Sequence, residues 1–550
     1  MQCVIGADLR LRSCWRGAGG HTLGDAPGGE TTVVILSLVL TTLSLEPSVL
    51  VVNVVPKPHA RDAATHVGDV PVLLRRTFAG PKETKAASDF TRVVYGYYPY
   101  WTSTTDPLPW EHLTHLSYFS VDLNADGSLG NNHGWAGSGR DLVAAGHGYG
   151  VKVTLTATLF DNASIAALLA SPTKRSAAVE NLLALVQTEG GDGVSIDFET
   201  VPVSAKDDFV TFMSLLTSVF HFQIPGSHVS LASPAIDSAG SYDYDKLATA
   251  CDGLMIMGYD YYWSGGDPGP TSPISVGTTW TGRDLRWTTS DYLQHGGADN
   301  RDRFMLGLPL YGRDWPSTSS HVPGTKTANG TAKLLKDCDV SFADGKVWDA
   351  DSETPYKVYQ QASEWRQLFC EDTQSLATKF DLVQEVDFGG VMFWAIGYAP
   401  TDHPVWQELD ARFKRQAPNQ APVAVIAETD VTHVGAEVTL DGSASFDPDG
   451  DRLTYAWTVV EGPAIDILES DRSLAHVTPA EPAAYRFALT VSDGLSDGTT
   501  EAVLQVISPN EPPLEEPPSK GCSRCAGASG SGWAGLVVLL CLVHRRWRSQ

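Results

Sequence analysis

The chain is 550 residues long, enough for two or three domains and a large apolar core. Its hydrophobic content of 42% and charged content of 19% are those of a globular protein and exclude wholesale disorder. A formal net charge of -26 argues against a nucleic-acid ligand and for a soluble, acidic protein working outside the cytoplasm.

The first feature along the chain is an apolar run within residues 31–55, "TTVVILSLVLTTLSLEPSVLVVNVV", preceded by Arg10, Arg12 and Arg16. This is the layout of an export signal with an overlong basic region. The alternative is a single membrane span, which Glu46 and Pro47 would interrupt. Residues 1–55 are therefore expected to be an export signal or N-terminal hydrophobic segment. Residues 56–91 are polar and mixed, and are expected to be a linker.

From residue 92 to 416, strand-like and helix-like stretches alternate. The strand candidates are "VVYGYYP", "LTHLSYFSV", "VKVTLTAT", "GVSIDFE", "VSLASPA", "GLMIMGYD", "FMLGLPLYG" and "GGVMFWAIGY". Their near-continuous apolar character suits strands buried on both faces. "SAAVENLLALVQTEG" and "DDFVTFMSLLTSVFHF" between them carry apolar residues at helical spacing. The pattern predicts an α/β fold, a closed (β/α)8 TIM barrel. An open doubly wound sheet is the runner-up, weakened because no glycine-rich phosphate loop follows the first strand.

Residues 417–508 change texture. "LDGSASFDPDGDRLTYAWTV" and "YRFALTVSDG" alternate apolar and polar positions, as half-exposed strands do. With Trp457 and the Asp447–Asp451 turn, this region resembles a PKD domain, an immunoglobulin-like β-sandwich. Its aspartates are either turn formers or calcium ligands. Residues 509–520 form a Pro-rich linker. Residues 521–550 hold Cys522, Cys525, a short apolar stretch and Arg545, Arg546 and Arg548. This tail resembles the C-terminal sorting tails of myxobacterial surface proteins, which implies anchoring at the cell surface. A metal or redox pair at Cys522 and Cys525 is the weaker alternative, because no second pair accompanies it.

Eight cysteines are present. Cys3, Cys14, Cys522, Cys525 and Cys541 fall in the presumed targeting segments. The rest are too few for a disulfide scaffold. Cys338 and Cys370 are candidates for a bridge in an exported protein, and Cys251 for a small buried hydrophobe.

The chemistry concentrates in "GDGVSIDFET", residues 191–200. Residues two apart on a strand share a face, so Ser195, Asp197 and Glu199 point one way and Val194, Ile196 and Phe198 the other. In a barrel the apolar set packs under the helices and the carboxylates face the interior. Glu199 then stands at the strand's C-terminal end, where barrel active sites form, with Asp197 roughly 6–7 Å deeper.

Here the sequence resembles glycoside hydrolase family 18, the chitinase-type barrels. The family pattern D-x-x-D-x-D-x-E falls on Asp192, Ser195, Asp197 and Glu199. "LTHLSYFS", which holds Phe119, resembles the second strand. "MIMGYDYY" supplies Met257, Tyr259 and Asp260. "LGLPLYGRDW" supplies Tyr311 and Arg313, and "GGVMFWAIGY" supplies Trp394. The resemblance implies that Glu199 is the general acid, that Asp197 orients the substrate's 2-acetamido group, and that Tyr259 holds its oxygen. It also implies that Asp260 binds a sugar hydroxyl or tunes the site, and that Trp394 is the apolar floor. Met257, Tyr311, Arg313, Ser195 and Phe119 complete the expected substrate-binding set. Ser195 departs from the family's usual Asp; a serine there can donate one hydrogen bond to Asp197 but cannot repel its charge. Trp101, Trp263, Trp280, Trp287 and Trp315 lie near top-face loops and serve either packing or sugar stacking.

The expectation is an exported, monomeric glycosidase acting on β-1,4 linkages of N-acetylglucosamine polymers, with no cofactor, metal or nucleic acid. Membrane contact is expected only through the terminal apolar segments. The alternatives are a peptidoglycan-hydrolysing N-acetylglucosaminidase, a non-catalytic chitin-binding lectin and, more weakly, an adhesin carried by the sandwich.

Overall fold

Apolar strands and amphipathic helices alternate as their sequence periods require, and eight of the strands close on one another. The computed structural model describes residues 57–74, 89–102, 107–415, 419–429 and 431–508. After a short helix α1 (Pro58–Thr65), the order is β1 (Val93–Pro99), β2 (His115–Asp122), α2 (Trp135–His147), β3 (Lys152–Leu159), α3 (Asn162–Leu169), α4 (Pro172–Glu189), β4 (Gly193–Phe198), α5 (Lys206–Gln223) and β5 (His228–Pro234). Next come α6 (Tyr244–Ala250), β6 (Gly253–Met257), α7 (Leu285–Gly296) and β7 (Phe304–Pro309). An insertion follows, made of β8 (Tyr311–Ser317), β9 (Thr331–Leu334), α8 (Leu335–Phe342), β10 (Val347–Asp349), β11 (Thr354–Gln361) and β12 (Glu364–Phe369). The chain then returns to the barrel through α9 (Thr373–Glu385), β13 (Gly390–Trp394) and α10 (Val405–Phe413).

The barrel order is β1-β13-β7-β6-β5-β4-β3-β2, all parallel. Closure decides against the open doubly wound sheet. Strand β4 shows how sequence sets orientation. Val194, Ile196 and Phe198 are fully buried, and Phe198 stacks against Phe209 and Phe212 of α5 at 5.8 Å. Those two, with Met213, Leu216 and Phe220, are the buried stripe of α5. Gly193 opens β4 at φ +151, and a Cβ there would meet the His228 carbonyl oxygen at 1.9 Å. Helix α4 starts on a Ser171 cap with Pro172 in its first turn, and stops at Gly190 in the left-handed region.

The insertion departs from the sequence expectation. "FMLGLPLYG" reads as one barrel strand, yet it divides at Leu310 into β7 and β8, with β8 joining an antiparallel sheet of order β10-β11-β12-β8-β9. An unbroken apolar run hides such a division. The expected Cys338–Cys370 bridge is present and ties α8 to the chain just past β12, and Cys251 is free and buried.

The C-terminal sandwich consists of β14 (Thr432–His433), β15 (Val438–Asp441), β16 (Thr454–Glu461), β17 (Leu474–Val477), β18 (Ala484–Ser492) and β19 (Asp497–Ile507), in sheets β14-β19-β18-β16 and β15-β17. Trp457, Tyr485, Phe487, Leu489 and Leu504 fill its core. It docks where barrel strands begin: Arg303, preceding β7, pairs with Asp471 at 2.7 Å, and Arg415 donates to Asp451 at 2.7 Å. This face lies opposite the strand ends that carry Asp197 and Glu199, so the sandwich leaves the mouth clear. Asp447 acts as a turn former, its Oδ1 accepting from the Asp449 and Asp451 amides at 2.8 and 3.2 Å. Asp447 Oδ2 and Asp451 Oδ1 have no hydrogen-bond partner among the described residues, and the three carboxylates lie within 4.8 Å of one another.

Residues 1–55, the Pro-rich linker 509–520 and the tail 521–550 lie outside the described residues, as do Cys3, Cys14, Cys522, Cys525 and Cys541. Among the described residues no helix is long and apolar enough to cross a membrane. The stretch 56–91, expected to be a linker, is not one throughout. Its residues 58–65 form α1 and its residues 72–74 a single 3-10 turn, both packed on the barrel. Pro58 at the first helical position suits the start of α1.

Candidate active site

Strand β4 delivers Asp197 and Glu199 to the mouth. Asp197 is fully buried and Glu199 is only 2% exposed. The chain turns away at once, because Thr200 takes φ +61, a conformation costly for a β-branched residue. Its hydroxyl donates to Asn162 Oδ1 at 2.6 Å and secures that turn. Burial pushes the Glu199 carboxyl well above the usual range, and the neighbouring Asp197 charge pushes the same way. The backbone N–H groups of Ala60 and His59 oppose this at 3.1 and 3.0 Å.

The opposite wall comes from β6 and β8. Asp260, just past β6, is fully buried at φ +59. Arg313 Nη2 donates to both its oxygens at 2.8 Å, and the Tyr311 hydroxyl donates at 2.7 Å. These bonds over-determine a backbone conformation that would otherwise be disfavoured.

Trp394 ends β13 and forms the floor. Phe119 packs edge-on to it at 5.0 Å from beneath the mouth. Tyr259 is buried, and burial raises its phenol, which stays neutral. Met257 lines a cavity of about 380 Å³ beside Glu199 with Tyr242, Val201 and Ile236. The Tyr242 hydroxyl donates to the Phe198 carbonyl at 2.6 Å, which fixes the end of β4.

The ten residues expected at the site all lie in or below the barrel mouth, but a hydrogen bond from Ser195 to Asp197 is not formed. The Ser195 hydroxyl lies 2.8 Å from that of Tyr97, a residue of β1 that the motifs do not single out. Both side chains are fully buried, and Asp197 Oδ2 is directed instead to His59. Asp197 Oδ1 has no hydrogen-bond partner among the described residues. Asp192, the first Asp of the pattern, lies at the other end of β4, accepting from the Val153 amide at 2.6 Å and pairing with His147. Its role is structural.

Of the tryptophans left open, Trp280 and Trp315 pack together around Phe369. Trp287 lies under Arg283. Trp101 and Trp263 border the mouth, where His66 stacks on the first at 4.6 Å and Arg61 lies over the second at 4.5 Å.

His59, which sequence reasoning does not single out either, is seated in the cleft. Its ring stacks on Trp394 at 3.8 Å, its Nδ1 lies 2.8 Å from Asp197 Oδ2, and its Nε2 lies 2.6 Å from the Tyr259 hydroxyl. The one sequence signal is helix-start chemistry in "KPHARDAAT", a prolyl first turn followed by alanines. His59, Asp197 and Glu199 have ligand-type atoms within 4.8 Å of one another, and the direct bonds just given account for their approach.

Residues 93–399 match glycosyl hydrolases family 18. The chain belongs to that family. Residues 426–506 match a PKD-domain family. The family 18 region is similar to the cortical fragment-lytic enzyme of Bacillus anthracis, 24% identical over 304 residues, 52% of this chain and 65% of that protein. It is also similar to human di-N-acetylchitobiase, 25% identical over 281 residues, 46% of this chain and 69% of that protein. The chain thus covers less than two thirds of the bacillary relative's length. In fold it is similar to a family 18 chitinase mutant from Cycas revoluta solved with (GlcNAc)4, with a TM-score of 0.52, 19% identity, and cover of 58% of this chain and 99% of that one.

Proposed function

We propose that this family 18 barrel hydrolyses β-1,4 linkages following N-acetylglucosamine, in chitin or chitooligosaccharides, by a substrate-assisted retaining mechanism. The observation that carries this reading is the convergence of two polar groups, Asp197 and Tyr259, above Trp394. A ring lying 3.8 Å from that indole reaches Asp197 and Tyr259 at once, as His59 does. A pyranose on the same face would offer its acetamido N–H to Asp197 and its acetamido oxygen to Tyr259.

The steps follow. Glu199, protonated because burial and Asp197 favour the neutral acid, gives its proton to the glycosidic oxygen. The acetamido oxygen attacks the anomeric carbon as the glycosidic C–O bond breaks, giving an oxazolinium ion. Asp197 orients the acetamido group and stabilises the positive charge. Glu199, now a carboxylate, takes a proton from water as that water attacks the same carbon and displaces the acetamido oxygen, which regenerates the neutral acetamide and restores the carbon's configuration. This is one of the exceptions to the two-carboxylate scheme. Asp260, locked to Arg313 and Tyr311, serves as a fixed acceptor at the rim.

Proton NMR of products from a tetramer of β-1,4-linked N-acetylglucosamine tests this reading. The β-anomer should form first; initial α-anomer would overturn it. Peptidoglycan is the second reading, favoured by the similarity to the Bacillus anthracis enzyme. Turnover of muropeptides but not the tetramer would select it. Sugar binding without turnover would select the lectin. We further propose that the protein is exported and held at the cell surface. The Cys338–Cys370 disulfide suits an oxidising compartment, and the apolar run within residues 31–55 and the tail holding Arg545, Arg546 and Arg548 suit export and anchoring.

A further inference from the structure

The cleft just described is filled by the chain's own segment 57–74. Helix α1 enters the mouth N-terminus first and has no side-chain cap of its own. Glu199 supplies that cap, accepting from the His59 and Ala60 amides at 3.0 and 3.1 Å, where a helix N-terminus favours negative charge. Lys57 Nζ donates to the Phe160 carbonyl at 2.8 Å on one flank. Arg61 Nη1 donates to Asp260 Oδ2 at 3.2 Å on the other. The Trp394 indole N–H donates to Asp62 Oδ2 at 2.8 Å.

The strap continues past the helix. His66 stacks on Trp101, and its carbonyl accepts from the Tyr100 hydroxyl at 3.0 Å. The Val72 amide donates to the Tyr100 carbonyl at 2.7 Å, and Val72 and Leu73 are buried. The bend between helix and anchor faces outward, with Val67 79% and Val70 57% exposed.

These contacts are too specific for a tether. Segment 57–74 engages Glu199, Asp197, Tyr259, Trp394 and Asp260, which are the groups a glycan would need. Its contacts with Glu199 also favour the ionised carboxylate, the wrong form for a general acid. We propose that residues 57–74 are an intramolecular inhibitor, an aromatic and charged peptide plug that must leave the cleft before a glycan can occupy it. The inference rests on the proposed glycan-cleaving site. Because the competition is intramolecular, the apparent kcat/KM is the intrinsic value multiplied by the open fraction.

The test uses the full chain and two variants that leave the barrel residues untouched. His59→Ala with Asp62→Ala removes the ring over Trp394 and the indole's acceptor. Ala60→Pro removes a donor to Glu199 and disfavours a helical His59. Amide hydrogen exchange at His59, Arg61 and Asp62 and kcat/KM for the N-acetylglucosamine tetramer are read on all three proteins. The expected result is slow exchange in the wild type, fast exchange in both variants, and kcat/KM raised about tenfold or more in both. Free exchange in the wild type, or variant kcat/KM equal to a measurable wild-type value, would overturn the plug. If no protein cleaves the tetramer while protection is present in the wild type and lost in the variants, the plug stands and the proposed substrate falls.

Discussion

Glu199 and Asp260 each follow a barrel strand, each is buried, and each borders the same cleft, but their surroundings differ. On the β6–β8 wall Asp260 receives a two-pronged guanidinium and a phenol, so its charge is matched and its position fixed. On the β4 wall the bonds to Glu199 come from backbone amides rather than a guanidinium, and its acidic neighbour Asp197 adds repulsion. The same buried residue class is thus built once as a charge-matched anchor and once as a carboxyl pushed upward, as the proposed proton donor requires. The difference lies in the partners: β8 brings Arg313 and Tyr311 to Asp260, whereas Glu199 is met by backbone amides of α1, and a strand pattern alone reveals neither.

The largest effect is expected at Arg313. Arg313→Leu removes the two-pronged partner of the buried Asp260 and leaves it the Tyr311 hydroxyl and a single Arg61 bond, and chemical denaturation should show a loss of about 3–5 kcal/mol. Replacing Cys338 and Cys370 by Ser acts on the same wall more remotely. The bridge spans a sequence separation of 32 and adjoins β12, which pairs with β8 at Arg313. Its removal should cost about 3–4 kcal/mol on loop closure, seen as a lower denaturation midpoint. Ser195→Ala sharpens the other wall. It removes only the bond to Tyr97, so stability should fall by about 1 kcal/mol while the pH–rate profile is unchanged. A moved profile would mean that Ser195 reaches Asp197 during turnover.

Much of this is legible in the sequence. The eight strands can be found because buried parallel strands are continuously apolar, and the two faces of β4 follow from a period of two. The site residues emerge through motif order around the barrel. What escapes does so for physical reasons. The division of the run at Leu310 leaves no polar mark. The Tyr97–Ser195 bond joins residues 98 apart, and no local pattern reports it. The plug is hidden because a short polar helix gains its stability from the cleft it enters rather than from its own sequence.

Glu199 also sets the expected pH dependence. A carboxyl whose folded-state pKa is raised contributes stability that is present below its unfolded value and lost as pH rises through the folded value. Its catalytic power as an acid falls over that same upper limb. The most direct measurement is therefore the pH profile of kcat/KM on the N-acetylglucosamine tetramer, in the His59→Ala, Asp62→Ala background, with and without Glu199→Gln. With Glu199 present, activity should persist above the ordinary carboxylate range and then fall. The Gln variant should be roughly 10²–10⁴-fold slower, without that limb. Equal rates in the two proteins, with the limb retained, would contradict the assignment of Glu199 as the acid.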